Sequence, residues 1–468
     1  MPYHRTVVPS HRRTVAPSYR RTVVPSHRNT VKPLNIILMK NLFLTLLTAI
    51  LIISCTGPEA IKNSSSFSAA SPESQGMSSE RIARIDTMLL QAVDNGSIPG
   101  VVALIARNGR IVYYKAFGMA DNQSGRTMKT DDIFRIASQT KAITATAVMI
   151  LWEEGKFRLD DPISKYIPEF KNPVLIKSFN PKDTSYLSEP AKSEITIRQL
   201  LTHTSGVGYG FIDGDERFRM IYHKAGITDA FTTENVILAE NIKKLGKLPL
   251  HHNPGEKFTY SEGLDVLGYL IEIVSGMPFD KFLKSRLFDP LGMSDTWFYL
   301  PEEKAARLVT VQEPKDGSWK RFPVTSYDPE YPIKGAKSYF AGGAGLSSTA
   351  KDYATFLQMY LNGGELNGKR ILSRTTVQAI MGNQNYSVWG DDSEWYYGLA
   401  FGVLTEKGAE KGGQGTTGTF NWGGYFNTSY FADPAEKIIG VIMKQTQNQI
   451  MDDTEWKFKI LTGQAIND

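Results

Sequence analysis

A serine and a lysine three residues apart are the first sign of chemistry in this sequence. Ser138 and Lys141 lie in the run Phe-Arg-Ile-Ala-Ser-Gln-Thr-Lys at 134–141. Because a free serine hydroxyl is a weak nucleophile, acyl transfer needs a nearby base, and a helix places residues three apart on one face. If a helix begins at Ser138, its unpaired N–H groups would favour an oxyanion forming beside Oγ. The pattern therefore predicts a serine hydrolase that forms a covalent acyl-enzyme.

This spacing alone is weak evidence, because a chain this rich in serine and lysine contains such pairs by chance. Ser348 and Lys351 form a second pair with the same spacing. However, Ser347 and Ser348 precede an amphipathic run at 353–361, where serine is a common N-cap and Lys351 would point to water. We therefore interpret the second pair as a helix start and keep Ser348 as an alternative nucleophile to be tested.

The elements that must position Ser138 follow from hydrophobic periodicity. Residues 138–154 are apolar or small on every face, which predicts a helix buried within a domain and ended by Gly155. An earlier amphipathic helix is indicated by apolar residues on one face, namely Ile82, Ile85, Leu89 and Val93. Two β-rich runs at 101–106 and 111–117, joined across Asn108-Gly109, predict a hairpin.

The β pattern returns near the C-terminus. Predicted strands lie at 397–404, 419–432 and 437–444. Asp433-Pro434 is the expected turn between the last two, and 456–466 is a predicted closing helix. Residues from about 138 to 300 show mostly helical pattern and loops, including a polar segment at 171–194 that is expected to run over the surface. The pattern predicts an α+β fold, in which one antiparallel sheet built from both ends of the domain is flanked by helices, with a mostly helical insertion.

The residues around Ser138 resemble the family that holds class C β-lactamases, D-alanyl-D-alanine carboxypeptidases and family VIII carboxylesterases. The likeness extends from about residue 71 to the C-terminus. It rests on Ser-Gln-Thr-Lys at 138–141, Leu-Asp-Asp-Pro at 159–162, Ile-Arg-Gln-Leu-Leu-Thr-His-Thr-Ser-Gly at 197–206, Pro-Gly at 254–255, Tyr-Ser at 260–261, Asp-Pro-Leu-Gly-Met at 289–293 and Gly-Gly-Ala-Gly at 342–345. The resemblance implies a β-lactamase/transpeptidase-like fold, with Ser138 as the nucleophile and Lys141 as its base.

The resemblance also assigns the second catalytic motif of the family. Tyr260 takes the position at which a phenolate can exchange protons with the leaving group. The third position of this motif is usually Asn in β-lactamases, where it contacts the substrate amide, but here it is Glu262. We count Glu262 among the candidate substrate-binding residues, and its departure from Asn counts against a lactamase. The continuation Leu-Asp-Val-Leu-Gly at 264–268 looks more like the carboxylesterase branch.

A third motif is assigned to Asn-Trp-Gly-Gly-Tyr at 421–425, in preference to Lys-Gly-Gly at 411–413, because the former lies in a β-rich run. Glycines let a strand backbone approach a ligand closely. By resemblance, Trp422, Gly423 and Gly424 occupy the Lys-Thr-Gly position, and the backbone N–H groups of Ser138 and Tyr425 would form the oxyanion hole. Trp422 cannot supply the charge with which β-lactamases hold the carboxylate of the drug.

The first 75 residues are expected to lie outside the catalytic domain. Residues 1–38 contain a basic octapeptide repeat that predicts disorder, and we interpret them as upstream sequence translated in error, with a basic RNA-binding tail as the alternative. Residues 39–55 have the charged start and apolar core of a secretory signal. A Ser-rich tether at 56–75 then leads to a predicted catalytic domain at 76–468.

The signal ends in Ile-Ile-Ser-Cys at 52–55, which resembles the lipobox of bacterial lipoproteins. The resemblance implies cleavage before Cys55 and acylation of its sulfur, which would anchor the protein to a membrane. Because Cys55 is the only cysteine in the chain, no internal disulfide is possible. Residues 1–55 contain eight Lys or Arg and no acid, so the formal net charge of +5 falls to −3 without them. This balance gives no reason to expect a nucleic-acid partner.

Metal and triad chemistry have little support in the sequence. The histidines after the leader show no zincin spacing, and no Gly-x-Ser-x-Gly elbow occurs; these histidines are His203, His223, His251 and His252.

The sequence therefore predicts a cofactor-free serine hydrolase of small carboxylic esters, exported as a bacterial lipoprotein that faces the periplasm or cell surface. The alternatives are a β-lactamase or D-alanyl-D-alanine carboxypeptidase, an acyltransferase to an alcohol acceptor, and a non-catalytic penicillin-binding-like envelope lipoprotein.

Overall fold

A large mixed sheet holds strands from both ends of the described chain. The computed structural model describes residues 67–385, 389–390, 392–449 and 452–468, which fall in one compact unit. The strands, in chain order, are β1 Ser68–Ala69, β2 Gly100–Arg107, β3 Arg110–Asp121, β4 Arg126–Thr127, β5 Phe134–Arg135, β6 Val174–Asn180, β7 Ser185–Pro190, β8 Gln312–Lys315, β9 Ser318–Arg321, β10 Ser347–Ser348, β11 Glu365–Leu366, β12 Lys369–Arg370, β13 Trp395–Tyr397, β14 Gly402–Leu404, β15 Phe420–Gly424, β16 Thr428–Asp433 and β17 Ile438–Met443.

Helices occupy much of the remaining chain. The α-helices are α1 Ser79–Asp94, α2 Thr140–Glu153, α3 Ile197–Leu201, α4 Glu216–Ala225, α5 Leu238–Leu245, α6 Gly263–Ser275, α7 Phe279–Leu283, α8 Asp289–Leu291, α9 Glu302–Ala305, α10 Tyr331–Lys334, α11 Ala350–Leu361, α12 Arg374–Met381, α13 Glu406–Glu410 and α14 Thr454–Gln464. Short 3₁₀ helices lie at Glu73–Gln75, Ala137–Gln139, Ile163–Lys165 and Pro168–Phe170, and a π-helical turn lies at Lys284–Phe288.

The main sheet has the strand order β1-β3-β2-β17-β16-β15-β14-β13, with β4 paired to β3. Its pairs are antiparallel except for the parallel pair of β1 and β3. The join between the two ends of the chain is the pairing of β2 with β17, which runs from Val102 opposite Met443 to Arg107 opposite Ile438. The predicted α+β architecture, with one sheet assembled from both ends of the domain, is confirmed.

Strand β2 shows how the sheet separates two cores. All of its residues are buried, and successive side chains of a strand point to opposite faces. Val101, Ala103 and Ile105 pack with residues of α1 and α14, whereas Val102 and Leu104 pack in the larger core with α2, α6 and α11. Helix α2 is buried along nearly its whole length, as its apolar surface predicted. This burial fixes the segment that carries Ser138 and Lys141.

Several predicted boundaries were wrong. The run at 397–404 is divided between β13 and β14 by a buried turn at Ala400, whose φ is +66°. The run at 419–432 is divided between β15 and β16 by Asn427, whose φ is +63° and whose N–H donates to the Gly424 carbonyl. In both cases the apolar pattern continues through the turn. The polar segment at 171–194 is largely exposed, as expected, but contains the hairpin of β6 and β7.

The folded unit also begins before residue 76. Strand β1 pairs with Arg110 and Ile111 of β3, and the 3₁₀ helix Glu73–Gln75 follows it, so these residues of the predicted tether belong to the fold. The predictions for 1–38, 39–55 and 56–66 lie outside the described residues. Within the described ranges, no helix combines the length and apolar character needed to cross a membrane.

Candidate active site

Ser138 lies on a tight turn that leads directly into the buried helix α2. The 3₁₀ helix Ala137–Gln139 precedes Thr140, the first residue of α2, so the α-helix begins two residues later than predicted. Ser138 is half-buried, whereas both of its neighbours are buried. Ala137 has a φ of +41°, which is uncommon for a residue with a side chain and shows that the turn is held by its surroundings. The turn presents the serine to solvent at the end of a rigid helix.

Lys141 is fully buried one turn beyond Ser138. Its Nζ donates hydrogen bonds to the Tyr209 hydroxyl at 3.0 Å and to the Gly343 carbonyl oxygen at 2.8 Å. The same nitrogen lies 4.5 Å from the centre of the Tyr260 ring. Both hydrogen-bond partners are neutral groups. They orient the Lys141 amine, and neither of them is a carboxylate. Such a lysine is well placed to accept and return a proton.

Tyr260 is half-buried and belongs to a layer of aromatic rings. Its ring centre lies 5.6 Å from that of Tyr209, 6.2 Å from that of Trp422 and 4.6 Å from that of His203. The segment before α6 is held to His203, whose carbonyl accepts from the Thr259 N–H at 2.8 Å. The structure thus brings Lys141 and Tyr260, which are far apart in the sequence, into direct contact.

The predicted third motif lies beside the Ser138 turn. Trp422 and Gly424 belong to β15, and an ideal Cβ on Gly424 would lie 2.4 Å from the Ile136 carbonyl oxygen. Only a residue without a side chain allows this approach. Tyr425 follows the strand with 39% of its surface exposed, and Gly423 is also exposed. The alternative motif at 411–413 is exposed and lies outside the strands, at the end of α13.

The close contact at Gly424 leads to a test of this packing. Replacing Gly424 with alanine should lower the free energy of unfolding by about 1–3 kcal/mol, because the new methyl group meets backbone and must push β15 away. Gly423→Ala is the matched control, since its Cβ would approach no closer than 3.4 Å to the Thr428 carbonyl oxygen. Chemical denaturation of both variants measures the difference. Equal stabilities would contradict the described packing of β15 against the Ser138 turn.

Glu262, which the resemblance made a candidate substrate-binding residue, is buried in the structure. The residue is fully buried at the start of α6, and neither carboxyl oxygen is accessible to solvent. Burial and the nearby carboxyl of Asp229 raise the pKa of Glu262 well above its usual range. Burial also raises the pKa of Asp265 to about 6, and the Asp265 carboxylate accepts from the Gly343 N–H at 3.1 Å. Glu262 and Asp265 are therefore two buried acids that interact electrostatically with Lys141.

Sequence reasoning missed the partners of Lys141. Tyr209 lies just after the His-Thr-Ser-Gly motif in the glycine-rich run Gly-Val-Gly-Tyr-Gly at 206–210, and closely spaced glycines around an aromatic residue were its only signal. Gly343 belongs to the Gly-Gly-Ala-Gly motif of the resemblance, which assigns it no role. An ideal Cβ on Gly343 would lie 2.5 Å from an Asp265 carboxyl oxygen, which explains the need for glycine.

The alternative pair at Ser348 and Lys351 is not assembled as a site. Ser348 is buried in β10, and its hydroxyl bonds to that of Thr296 at 2.8 Å, whereas Lys351 is exposed. The predicted cap was wrong by one or two residues, because Thr349 caps α11 by accepting from the Asp352 N–H. A buried serine and a solvent-facing lysine cannot work together as nucleophile and base without rearrangement.

His203 is buried and contacts the segment that carries Tyr260. Its Nδ1 lies 2.9 Å from the Ser261 hydroxyl, and burial together with Lys141 lowers its pKa well below the usual value. In the described ranges, no group of three or more His, Cys, Asp or Glu side chains is arranged to hold a metal ion.

Comparison with known proteins agrees with the fold. A family model described as Beta-lactamase matches residues 85–464. Esterase EstB of Burkholderia gladioli is 32% identical over 382 residues, covering 78% of this chain and 90% of the relative. Lovastatin esterase of Penicillium rubens is 30% identical over 377 residues, covering 76% and 91%. The solved structure of EstCE1, described as a hydrolase with promiscuous acyltransferase activity, is 28% identical with a TM-score of 0.70, covering 83% of this chain and 98% of its own. The chain belongs to the β-lactamase family and is a serine hydrolase of that fold.

Proposed function

We propose that the protein hydrolyses small carboxylic esters through an acyl-enzyme on Ser138. The observation that carries the proposal is the cluster formed by an accessible Ser138, a buried Lys141 one turn away, and Tyr260 against the lysine nitrogen. Ser138 Oγ attacks the ester carbonyl and loses its proton to the Lys141 and Tyr260 pair. That proton passes to the departing alkoxide, and an alcohol leaves. Water then attacks the acyl-enzyme by the same route in reverse and releases the carboxylic acid.

The backbone N–H groups of Ser138 and Tyr425 are the proposed oxyanion hole. Their placement is supported by the close packing of Gly424 on the carbonyl of Ile136, which brings the end of β15 next to the turn that carries the nucleophile. Donors fixed by backbone need no reorganisation when charge develops on the carbonyl oxygen. This arrangement would stabilise the tetrahedral intermediate in both halves of the cycle.

The choice of esters rests on the uncharged walls of the site. By resemblance, Trp422 corresponds to a lysine of the family's β-lactamases. Its ring lies beside Tyr260 and Tyr397. Aromatic faces favour apolar acyl or alcohol groups over the carboxylate of a β-lactam. Esterase EstB and lovastatin esterase, both at least 30% identical to this chain, support the same substrate class.

Turnover of p-nitrophenyl butyrate against nitrocefin tests the substrate class. We expect the purified protein to hydrolyse the butyrate ester with a kcat/KM at least about 100-fold above that for nitrocefin, since the lost charge contact is of the charge-assisted kind. Both reactions release a coloured product and can be followed under the same conditions. Rapid nitrocefin hydrolysis without esterase activity would reverse the assignment to β-lactamase.

Acyl transfer to an alcohol is the second candidate, favoured by the description of EstCE1, the solved relative with promiscuous acyltransferase activity. An alcohol in place of water would attack the same acyl-enzyme, so that a new ester forms instead of an acid. Adding a small alcohol to the butyrate assay distinguishes the two outcomes, because transfer yields butyrate ester and hydrolysis yields butyric acid.

A further inference from the structure

Glu262 has an unusual environment for an acidic residue. Its side chain is completely buried, and within the described part of the chain no N–H or O–H group donates to either carboxyl oxygen. The backbone N–H of Glu262 donates to the Gly208 carbonyl at 3.1 Å, which ties the start of α6 to the segment that contains Tyr209. An ionised carboxylate in this position would lack any compensation for its lost hydration.

The neighbour of the Glu262 carboxyl is a second carboxyl, that of Asp229. Asp229 accepts the backbone N–H groups of Gly210 at 3.1 Å and Phe211 at 2.8 Å. An ideal Cβ on Gly210 would lie only 1.8 Å from an Asp229 oxygen, so glycine is required for this approach. These two hydrogen bonds from backbone N–H groups to the Asp229 carboxyl fix the 209–211 segment.

Two carboxyl groups in contact are both acceptors unless one of them carries a proton. Burial disfavours the charged form of Glu262, and Asp229 and Asp265 add like charge, whereas Lys141 acts in the opposite direction with a smaller effect. The pKa of Glu262 is consequently raised well above its usual range. Further titratable groups that interact electrostatically with Glu262 are the buried phenols of Tyr209, Tyr222 and Tyr339.

We propose that Glu262 is a positioning residue that acts as a neutral carboxylic acid and donates its proton to the Asp229 carboxylate. The shared proton holds Asp229 against the Gly210 and Phe211 N–H groups, and so holds the Tyr209 hydroxyl where it accepts from Lys141. Glu262 itself touches neither substrate nor the reacting atoms. The role in catalysis rests on the proposed function, since Lys141 is the proposed base.

Two variants of the full chain test this role. Glu262→Gln keeps a donor, because the amide N–H₂ can bond to Asp229, so kcat for p-nitrophenyl butyrate at neutral pH should stay within about threefold of wild type. Glu262→Met keeps the length but has no donor, so kcat should fall at least about tenfold with little change in KM. If Glu262→Gln is as impaired as Glu262→Met, the positioning role is overturned.

The pH profile gives a readout that a purely structural role would not move. As the proposed proton donor, Glu262 keeps its proton near neutral pH and loses it as the pH rises, which leaves two neighbouring carboxylates that repel. Wild-type kcat should therefore decline at alkaline pH relative to Glu262→Gln, which cannot ionise. The unfolded chain releases this proton at the ordinary glutamate pKa, whereas the folded state keeps it. Wild-type stability relative to Glu262→Gln should therefore fall from that ordinary pKa upward, and level off once Glu262 ionises in the folded state. A ratio of kcat values that is constant with pH would contradict the proposal.

Infrared difference spectroscopy separates this inference from the proposed function. The wild-type spectrum minus that of Glu262→Gln at neutral pH should contain the carbonyl stretch of a protonated carboxyl group. Its absence would overturn the proposal whether or not the protein hydrolyses esters. A wild-type protein that shows this band but has no esterase activity would refute the proposed function and would leave the Glu262–Asp229 pair supported.

Discussion

Ser138→Ala is expected to lower kcat for p-nitrophenyl butyrate by at least about 10⁴-fold, which is the scale of loss when a catalytic nucleophile is removed. Without Oγ no acyl-enzyme can form, and the remaining site can only orient water. The substitution removes a single half-buried hydroxyl group, so thermal stability should change little. Steady-state kinetics with a thermal unfolding curve measures both effects.

Ser348→Ala is the matched control for Ser138→Ala. Its hydroxyl is buried against Thr296, so the variant should lose some stability but keep esterase activity within about threefold of wild type. A large loss of activity in the folded Ser348 variant, together with an active Ser138 variant, would move the nucleophile to the second pair.

Lys141→Met should lower kcat by about 10³-fold or more, because the proposed proton acceptor for Ser138 is lost. Methionine preserves most of the buried volume, but it leaves the Tyr209 hydroxyl and the Gly343 carbonyl without their shared donor. We therefore expect a measurable loss of stability as well, and both kcat and the unfolding midpoint need to be determined. The loss of kcat can be separated from the loss of stability, because activity is measured at a temperature well below the midpoint of thermal unfolding.

Lys351→Met provides the control, since this lysine is exposed and its replacement should leave both quantities close to wild type. Retention of more than about a tenth of wild-type kcat in Lys141→Met would exclude Lys141 as the principal base. In that case Tyr260 alone would have to take the serine proton.

The parts of the fold with strong local signals were predictable from the sequence. The Asn108-Gly109 turn defined the first hairpin, and the apolar surface of 138–154 identified a buried helix. The turn at Ala400 was not predictable, because an alanine with a positive φ inside an apolar run is imposed by tertiary packing. Local pattern thus predicted the elements and missed the turns inside two apolar runs, at Ala400 and at Asn427.

Some residues of the candidate site could likewise be identified from sequence motifs, and others could not. Lys141 and Tyr260 were selected from motifs, and the fold brings them together. Glu262 occupies a motif position, but its orientation depends on how the start of α6 packs against the segment at 208–211, which no spacing rule expresses. Tyr209 and Asp229 lie in loops without a motif. The signal segment and the acylation of Cys55 stay predictions, because residues 1–66 lie outside the described part of the chain.

Under the proposed function, Glu262 and Trp422 would account for a preference for esters over β-lactams. By resemblance, Trp422 stands where β-lactamases carry a charged group, and its ring lies beside Tyr260. Glu262 stands where they carry an amide, and its carboxyl is buried. Both changes leave the Ser138 and Lys141 machinery in place. The proposal therefore retains acyl transfer on Ser138 and places the differences at the groups that would recognise a β-lactam.

Covalent labelling with a fluorophosphonate tests the central claim most directly. Intact-protein mass spectrometry of the folded wild-type chain should show a single adduct, and peptide mapping should locate it on Ser138, with no adduct on the Ser138→Ala variant. Labelling of Ser348, or no labelling of a well-folded protein, would contradict the assignment, and the second result would favour a non-catalytic binding protein.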